Sequence, residues 1–338
     1  MSKYVEFTFC ELPETPREFN IEKFKAGDPI QKKLYADSKA PRRKKLLKYD
    51  DLKLDETDGP NYARVVPDDC MFIDYDDPKE AAEMYEIILR SKLRCLILET
   101  VKGYHFLFRK PDFYKKEMTR ATNWFGYKFD TKGSGAVQII KVCGMEREER
   151  CSWEPDTLIA PNVINVEELD VLPYWLWGKL RDKDLHKGGK PGESEYHLDD
   201  TPFTQLMTLT EGSRHNHIVG RCSYFGLSNG FEIGEFKSLI TAIHDQYLVK
   251  IGTPMPDSDL FGDLPERWSD YEAMLSSEGW VYEEKERRWK KVKTKKEEKI
   301  DERRAAEWLY KQYDFYASDA GVDGLFKKLY YKDLERTI

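Results

Sequence analysis

The chain has 338 residues, of which 40% are hydrophobic, 13% aromatic and 35% charged, with a formal net charge of −7. That length admits two domains and a sizeable core, and no uninterrupted apolar run is long enough for a membrane span. The N-terminus, MSKYVEFTF, lacks the basic-then-apolar layout of a secretory signal, so the expectation is a cytoplasmic protein without a membrane partner.

Six cysteines (Cys10, Cys70, Cys95, Cys143, Cys151 and Cys222) are scattered without CxxC spacing, which points to free thiols in a reducing compartment. No second close pair accompanies Cys143 and Cys151, so no zinc is expected. The acidic balance counts mildly against a nucleic-acid partner, but phosphate contact depends on local patches. One such patch is the basic run SKAPRRKKLLK, with Lys39, Arg42, Arg43, Lys44, Lys45 and Lys48. It reads equally as a solvated helix face.

Residues 69–142 alternate between strand and helix signals. CMFIDY is an apolar run rich in strand formers. Asp77 before Pro78 is an N-cap followed by a first-turn proline, and Ala82, Tyr85, Ile88 and Leu89 recur at helical spacing after it. RCLILET and YHFLFR read as strands joined by the turn VKG. The spacing predicts a helix over 112–125, then strands at YKFDT and AVQIIKV around the tight turn KGSG. This order suggests one sheet with helices on one side. A closing strand and a short helix carrying Trp175 and Trp177 follow. The Gly-rich, charged stretch LHKGGKPGESE is the linker candidate. Residues 202–278 read as helical, and 283–304 as a dense mixed-charge run.

Three places carry chemistry. Asp74 and Asp76 end a strand, and side chains two apart on a strand share a face. Adjacent carboxylates repel unless a cation sits between them, and hard oxygen donors suit Mg2+ or Mn2+. Alone, the pair is also ordinary turn chemistry. Lys102-Gly103-Tyr104-His105 sets two donors suited to a triphosphate beside a glycine that admits close backbone approach. A core histidine is the plain alternative. Asp130, with Lys132 after it, again ends a strand at a Gly-rich turn.

Taken in order, MFIDYD, Gly103-Tyr104-His105 and Phe129-Asp130 resemble the three motifs of the archaeo-eukaryotic primase superfamily. Those motifs are apolar residues running into Asp-x-Asp, a small residue two before His, and an apolar residue then Asp. ETVKGYHFLFRKP and FDTKGSGAVQII resemble the corresponding runs of the phage and plasmid primase-polymerase branch, although the second motif commonly has serine where Lys102 or Gly103 stands here. The resemblance spans roughly residues 60–165. Downstream, TEGSRHNHIVGRCSYFGLSNGFEIGE is similar to the helical primase C-terminal domain that follows such cores. The segment from about residue 303 resembles the region preceding a ring-forming helicase.

The resemblance implies an α+β fold. A catalytic core with an RNA-recognition-motif-like palm (1–182) would be joined by a linker (183–201) to a smaller all-α domain (202–282). A charged linker and the start of a helicase-associated region (283–338) would follow, as in the N-terminal part of a larger replication protein. It implies a DNA-templated primase-polymerase with Mg2+ or Mn2+ on Asp74, Asp76 and Asp130. His105, Lys102, Gly103 and Lys132 would hold the nucleoside triphosphate. Single-stranded DNA template would meet Arg42, Arg43, Lys44, Lys45 and Arg214. A non-catalytic replication-initiator module and a metal-dependent nuclease are the competing expectations.

Overall fold

Strand formers separated by turn residues fill the N-terminal part of the chain. In the computed structural model they pair into antiparallel sheets, with helices between and after them, giving a mixed α+β protein. The structure describes residues 4–40, 46–52, 60–114, 120–159, 163–177, 179–180, 201–209, 214–249, 254–284 and 287–292. The chain divides into two units, Met1–Lys290 and Lys291–Ile338, and the second lies almost wholly outside those residues.

Two short strands, β1 (Tyr4–Glu6) and β2 (Thr8–Glu11), open the fold. Helix α1 (Ile21–Lys25) is capped by Asn20, whose side chain accepts from the Lys23 amide. In α2 (Pro29–Asp37), Asp28 caps and Pro29 fills the first turn. Strand β3 (Tyr62–Val65) leads to β4 (Cys70–Tyr75), which is buried along its whole length. Asp77 then accepts from the Lys79 and Glu80 amides and starts α3 (Pro78–Arg90), as its sequence predicts. The buried stripe of α3 is Ala81, Met84, Ile87 and Ile88, whereas Ala82 is exposed. Of the expected stripe, Ile88 is buried and Tyr85 and Leu89 are half-buried against the same core, so only Ala82 falls outside it.

Strands β5 (Leu96–Glu99) and β6 (Tyr104–Arg109) form the expected hairpin. The described part of 112–125 is not helical. Arg120–Thr122 is a strand, β7, and Asn123 closes a turn by accepting from the Phe125 and Tyr127 amides. Pairing with β8 (Lys128–Lys132) overrides the local helical spacing.

Strand β9 (Val137–Val142) does not pair with β8. With β10 (Met145–Glu146) it joins a different sheet, in the order β10-β9-β3-β2. The single sheet expected from the sequence is thus two. The larger sheet gains β11 (Glu149–Cys151) and β12 (Glu154–Leu158), while β13 (Val163–Asn165) pairs with β1. Helix α4 (Tyr174–Trp177) buries both tryptophans, and β14 (Lys179–Leu180) completes the eight-stranded order β12-β11-β5-β6-β4-β8-β7-β14.

The described helical part consists of α5 (Pro202–Leu206), α6 (Arg214–Asn216), a π-helical turn over His217–Cys222, α7 (Ser223–Ser228), α8 (Ile233–Ile243), a second π-helical turn over His244–Leu248, α9 (Asp257–Phe261) and α10 (Leu264–Ser277). It is not a separately packed domain. Phe203, Leu239 and Leu275 share one core with Met71, Ile88 and Phe106 of the sheet layer. Trp124 is buried in this core, with its ring 5.0 Å from Phe231 and 5.9 Å from Phe203.

The helical part also extends past its expected end. β15 (Trp280–Glu283) and β16 (Arg288–Lys291) form a two-stranded sheet. Arg287, between them, pairs with Glu235 and lies 4.2 Å over the Tyr174 ring. The expected linker at 183–201 lies outside the described residues, apart from Thr201, which caps α5.

Candidate active site

Period-two alternation decides which face of the large sheet carries the polar residues. Met71, Ile73 and Tyr75 of β4 enter the core that contains α3, while Cys70 and Phe72 enter a second core with Phe9 and Tyr62 of the smaller sheet. Asp74 continues the Cys70–Phe72 face. On β6, Leu107 belongs to that second core and Phe106 and Phe108 to the first, so His105 shares Asp74's side. On β8, Phe129 lies in the first core, which sends Asp130 and Lys132 the other way. Strand pairing sets His105 and Asp130 directly opposite Asp74, on either side of it, and Lys132 opposite Phe72.

Asp74 is the centre of this group. Its Oδ1 lies 3.1 Å from His105 Nε2 and its Oδ2 lies 3.0 Å from Lys132 Nζ. Burial alone would raise its pKa. The hydrogen bonds and charge of His105 and Lys132 outweigh that and hold the carboxyl well below the usual range, so Asp74 is ionised. For His105 burial is the larger influence and lowers its pKa, against the pull of Asp74. The imidazole stacks on Phe72 at 4.7 Å between ring centroids, and its Nδ1 lies 3.4 Å from Gln138 Nε2.

Asp130 is half-buried, and Asp76 is exposed just beyond the end of β4. Among the described residues, no three His, Cys, Asp or Glu side chains converge closely enough to enclose an ion. The donor chemistry still fits a hard divalent cation: Asp74 and Asp130 oppose one another on paired strands, and Asp76 follows two residues on. For such an ion to bind, His105 and Lys132 would have to yield the oxygens of Asp74.

Gly103 has a structural part that its sequence context did not reveal. It is buried, and a Cβ built there would stand 2.0 Å from the Tyr75 carbonyl oxygen and 2.9 Å from Ala81 Cβ. The glycine admits the close approach of the neighbouring strand and helix. The Thr100 hydroxyl accepts from the Gly103 amide at 3.0 Å, which fixes the turn that carries exposed Lys102.

Two cations near the site escaped the motif reading. Lys39, in the turn after α2, lies 4.2 Å over the Tyr35 ring. Burial, then the charge of Arg147, lower its pKa to about 8 against the attraction of Asp76 and Asp74, and Lys102 also bears on it. Arg147 donates to the Tyr35 hydroxyl from Nη2 at 3.4 Å, while its Nε and Nη1 are buried with no hydrogen-bond partner. Lys39 was visible only as one member of a basic run, and Arg147 sits in the charged string MEREER, which reads as surface. Nothing in the sequence ties either residue to Asp74.

Behind His105 lies a buried polar group. Arg64 donates to the Gln138 side-chain oxygen from Nε at 3.0 Å and again from Nη2, and its Nη1 donates to Glu149 at 2.9 Å. Arg64 and Gln138 are 0% exposed. Of the nucleic-acid contacts expected from sequence, Arg42, Arg43, Lys44 and Lys45 lie outside the described residues. Arg214 is 2% exposed and donates to the Leu209 carbonyl, so it presents no guanidinium at the surface. None of the six cysteines is in a disulfide.

Comparison of the chain with protein-family models, with characterised proteins and with solved structures finds no match in any of the three.

Proposed function

We propose that this chain is a DNA-templated primase-polymerase that joins nucleoside triphosphates and releases pyrophosphate. The observation that carries the reading is the placement of Asp74 between His105 and Asp130 on three neighbouring strands, with Lys132 on its carboxylate and Lys39 and Arg147 nearby. Acids alone would suit many metal sites. Acids beside this many cations suit a substrate that carries several negative charges next to the reacting atom.

The strand order supports an RNA-recognition-motif-like palm. β4 is central, β6 and β8 flank it, β5 lies outside β6, and α3 makes the first crossover. A second palm helix is not found among the described residues.

A divalent ion held by Asp74, Asp130 and Asp76 would supply activation of the attacking hydroxyl and charge neutralisation at the leaving pyrophosphate. The chain's own side chains do the positioning. His105 and Lys132 now donate to Asp74, and both donors can pass to phosphate oxygens of an entering triphosphate. That transfer releases both carboxylate oxygens. Arg147 has two buried donors without partners, suited to a phosphate.

The test is incubation of labelled single-stranded DNA with Mg2+ or Mn2+, with and without triphosphates. Longer products that require triphosphate and disappear in Asp74→Ala support the reading. Shortened DNA without triphosphate would establish a nuclease instead, and a gel shift alone would establish a binding module. Unchanged synthesis by Asp74→Ala would remove the carboxylate from its assigned place.

A further inference from the structure

We infer that Gln138, clamped by Arg64, is a positioning residue that holds His105 in the tautomer with its hydrogen on Nε2, aimed at Asp74. The available donors decide the tautomer. A guanidinium has five N–H donors and no acceptor. Arg64 directs Nε and Nη2 at the same terminal atom of Gln138, so that atom is the amide oxygen. The opposite assignment would face two donors with an NH2 group inside a core where both residues are 0% exposed. Glu149 accepts from the same guanidinium at 2.9 Å, which keeps Arg64 from turning away.

With its oxygen committed, Gln138 presents its NH2 to His105 Nδ1 at 3.4 Å. An NH2 group donates, so Nδ1 is the acceptor and the ring hydrogen resides on Nε2. Nε2 is the atom 3.1 Å from Asp74 Oδ1, which accepts. The Phe72 ring, stacked at 4.7 Å, blocks rotation of the imidazole out of this line. The chain Glu149–Arg64–Gln138–His105–Asp74 therefore has one consistent set of donors and acceptors. It links the smaller sheet, through Arg64 on β3 and Gln138 on β9, to the polar end of the larger one. Sequence inspection had no access to it, because Arg64 and Gln138 meet only through the pairing of those two strands.

For function the consequence rests on the polymerase reading. A histidine locked with Nε2–H outward is always ready to donate to a phosphate oxygen. The opposite tautomer would turn a lone pair on it.

The test is nitrogen NMR of the intact 338-residue chain with labelled histidine, without nucleotide and at neutral pH. The His105 signals are identified by their loss in His105→Asn. The expected wild-type pattern is a bare Nδ1 and a hydrogen-bearing Nε2. A hydrogen on Nδ1, or on both nitrogens, would overturn the inference without touching the polymerase reading. In Gln138→Glu the NH2 is replaced by an acceptor, and Nδ1 is expected to acquire a hydrogen. An unchanged tautomer in a folded Gln138→Glu protein would also overturn it. If the wild-type chain extends DNA, Gln138→Glu should raise the nucleotide KM by about tenfold, the usual scale for a residue that orients a site ligand. If the wild-type chain does not extend DNA, the polymerase reading falls and the tautomer result still decides this inference.

Discussion

Lys132 reaches diagonally across the β8–β4 pair to place its Nζ 3.0 Å from Oδ2 of Asp74. The ammonium, less than half exposed, and the largely buried carboxylate compensate one another. This explains how a carboxylate is kept charged at the end of a fully buried strand. It also means that whatever binds Asp74 must first compete with a lysine.

Acid stability should report this arrangement. The folded carboxyl of Asp74 titrates below its unfolded value, so its stabilising effect is complete above the ordinary aspartate pKa of about 3.9. It is lost as pH falls through the lower folded value. Urea midpoints measured from about pH 5 down to about pH 3 should fall less steeply for Asp74→Asn than for the wild-type chain. Equal slopes would show that the carboxyl is not held in its charged form by the fold.

Lys39 gives a dependence on the alkaline side. Its folded pKa of about 8 lies below that of an exposed lysine, so its charge is present at neutral pH and lost above about 8. Triphosphate affinity should decline through that window and should not decline there in Lys39→Arg, whose charge persists. The sign for stability is opposite. The cost of burying the charge is complete below about 8, and relief grows between there and the unfolded value near 10.4. Titration of nucleotide binding by fluorescence at stepped pH checks the first statement.

Arg147 should trade stability for binding. Its Nε and Nη1 are buried without partners, which costs free energy until an anion arrives. Arg147→Met should raise the unfolding free energy of the nucleotide-free chain by about 1 kcal/mol and weaken triphosphate binding by about 10- to 100-fold. Thermal melts with and without triphosphate measure both at once. A variant that lost stability and kept its affinity would refute the assignment.

Gly103→Ala should damage the protein without any ligand. The added methyl would stand 2.0 Å from the Tyr75 carbonyl oxygen, so the turn between β5 and β6 would have to move away from α3. A loss of roughly 2 kcal/mol or more in urea denaturation is expected, larger than the effect of an ordinary exposed glycine substitution. A neutral effect would mean that the turn relaxes freely.

Much of the central sheet could be read locally. CMFIDY, RCLILET and YHFLFR became strands because apolar β-formers between turn residues have few other ways to bury themselves. Asp77-Pro78 started a helix because the cap and the first-turn proline act within one turn. The stretch 112–125 was misread because its helical spacing competes with pairing partners far along the chain, and β7 took those partners.

By itself, the sequence determined that Asp74 and His105 lie near strand ends, whereas Asp130, expected at the end of its strand, sits in the middle of β8 because that strand continues to Lys132. The two-residue period settled that Asp74 points away from Met71, Ile73 and Tyr75, since alternation is a property of the chain alone. Only the tertiary structure decided that Lys39, Arg147, Gln138 and Arg64 gather near those acids, and that Arg214 turns inward. Such meetings depend on which strands pair and in what register. Register is set by the burial of whole sheet faces, which no local stretch of residues encodes.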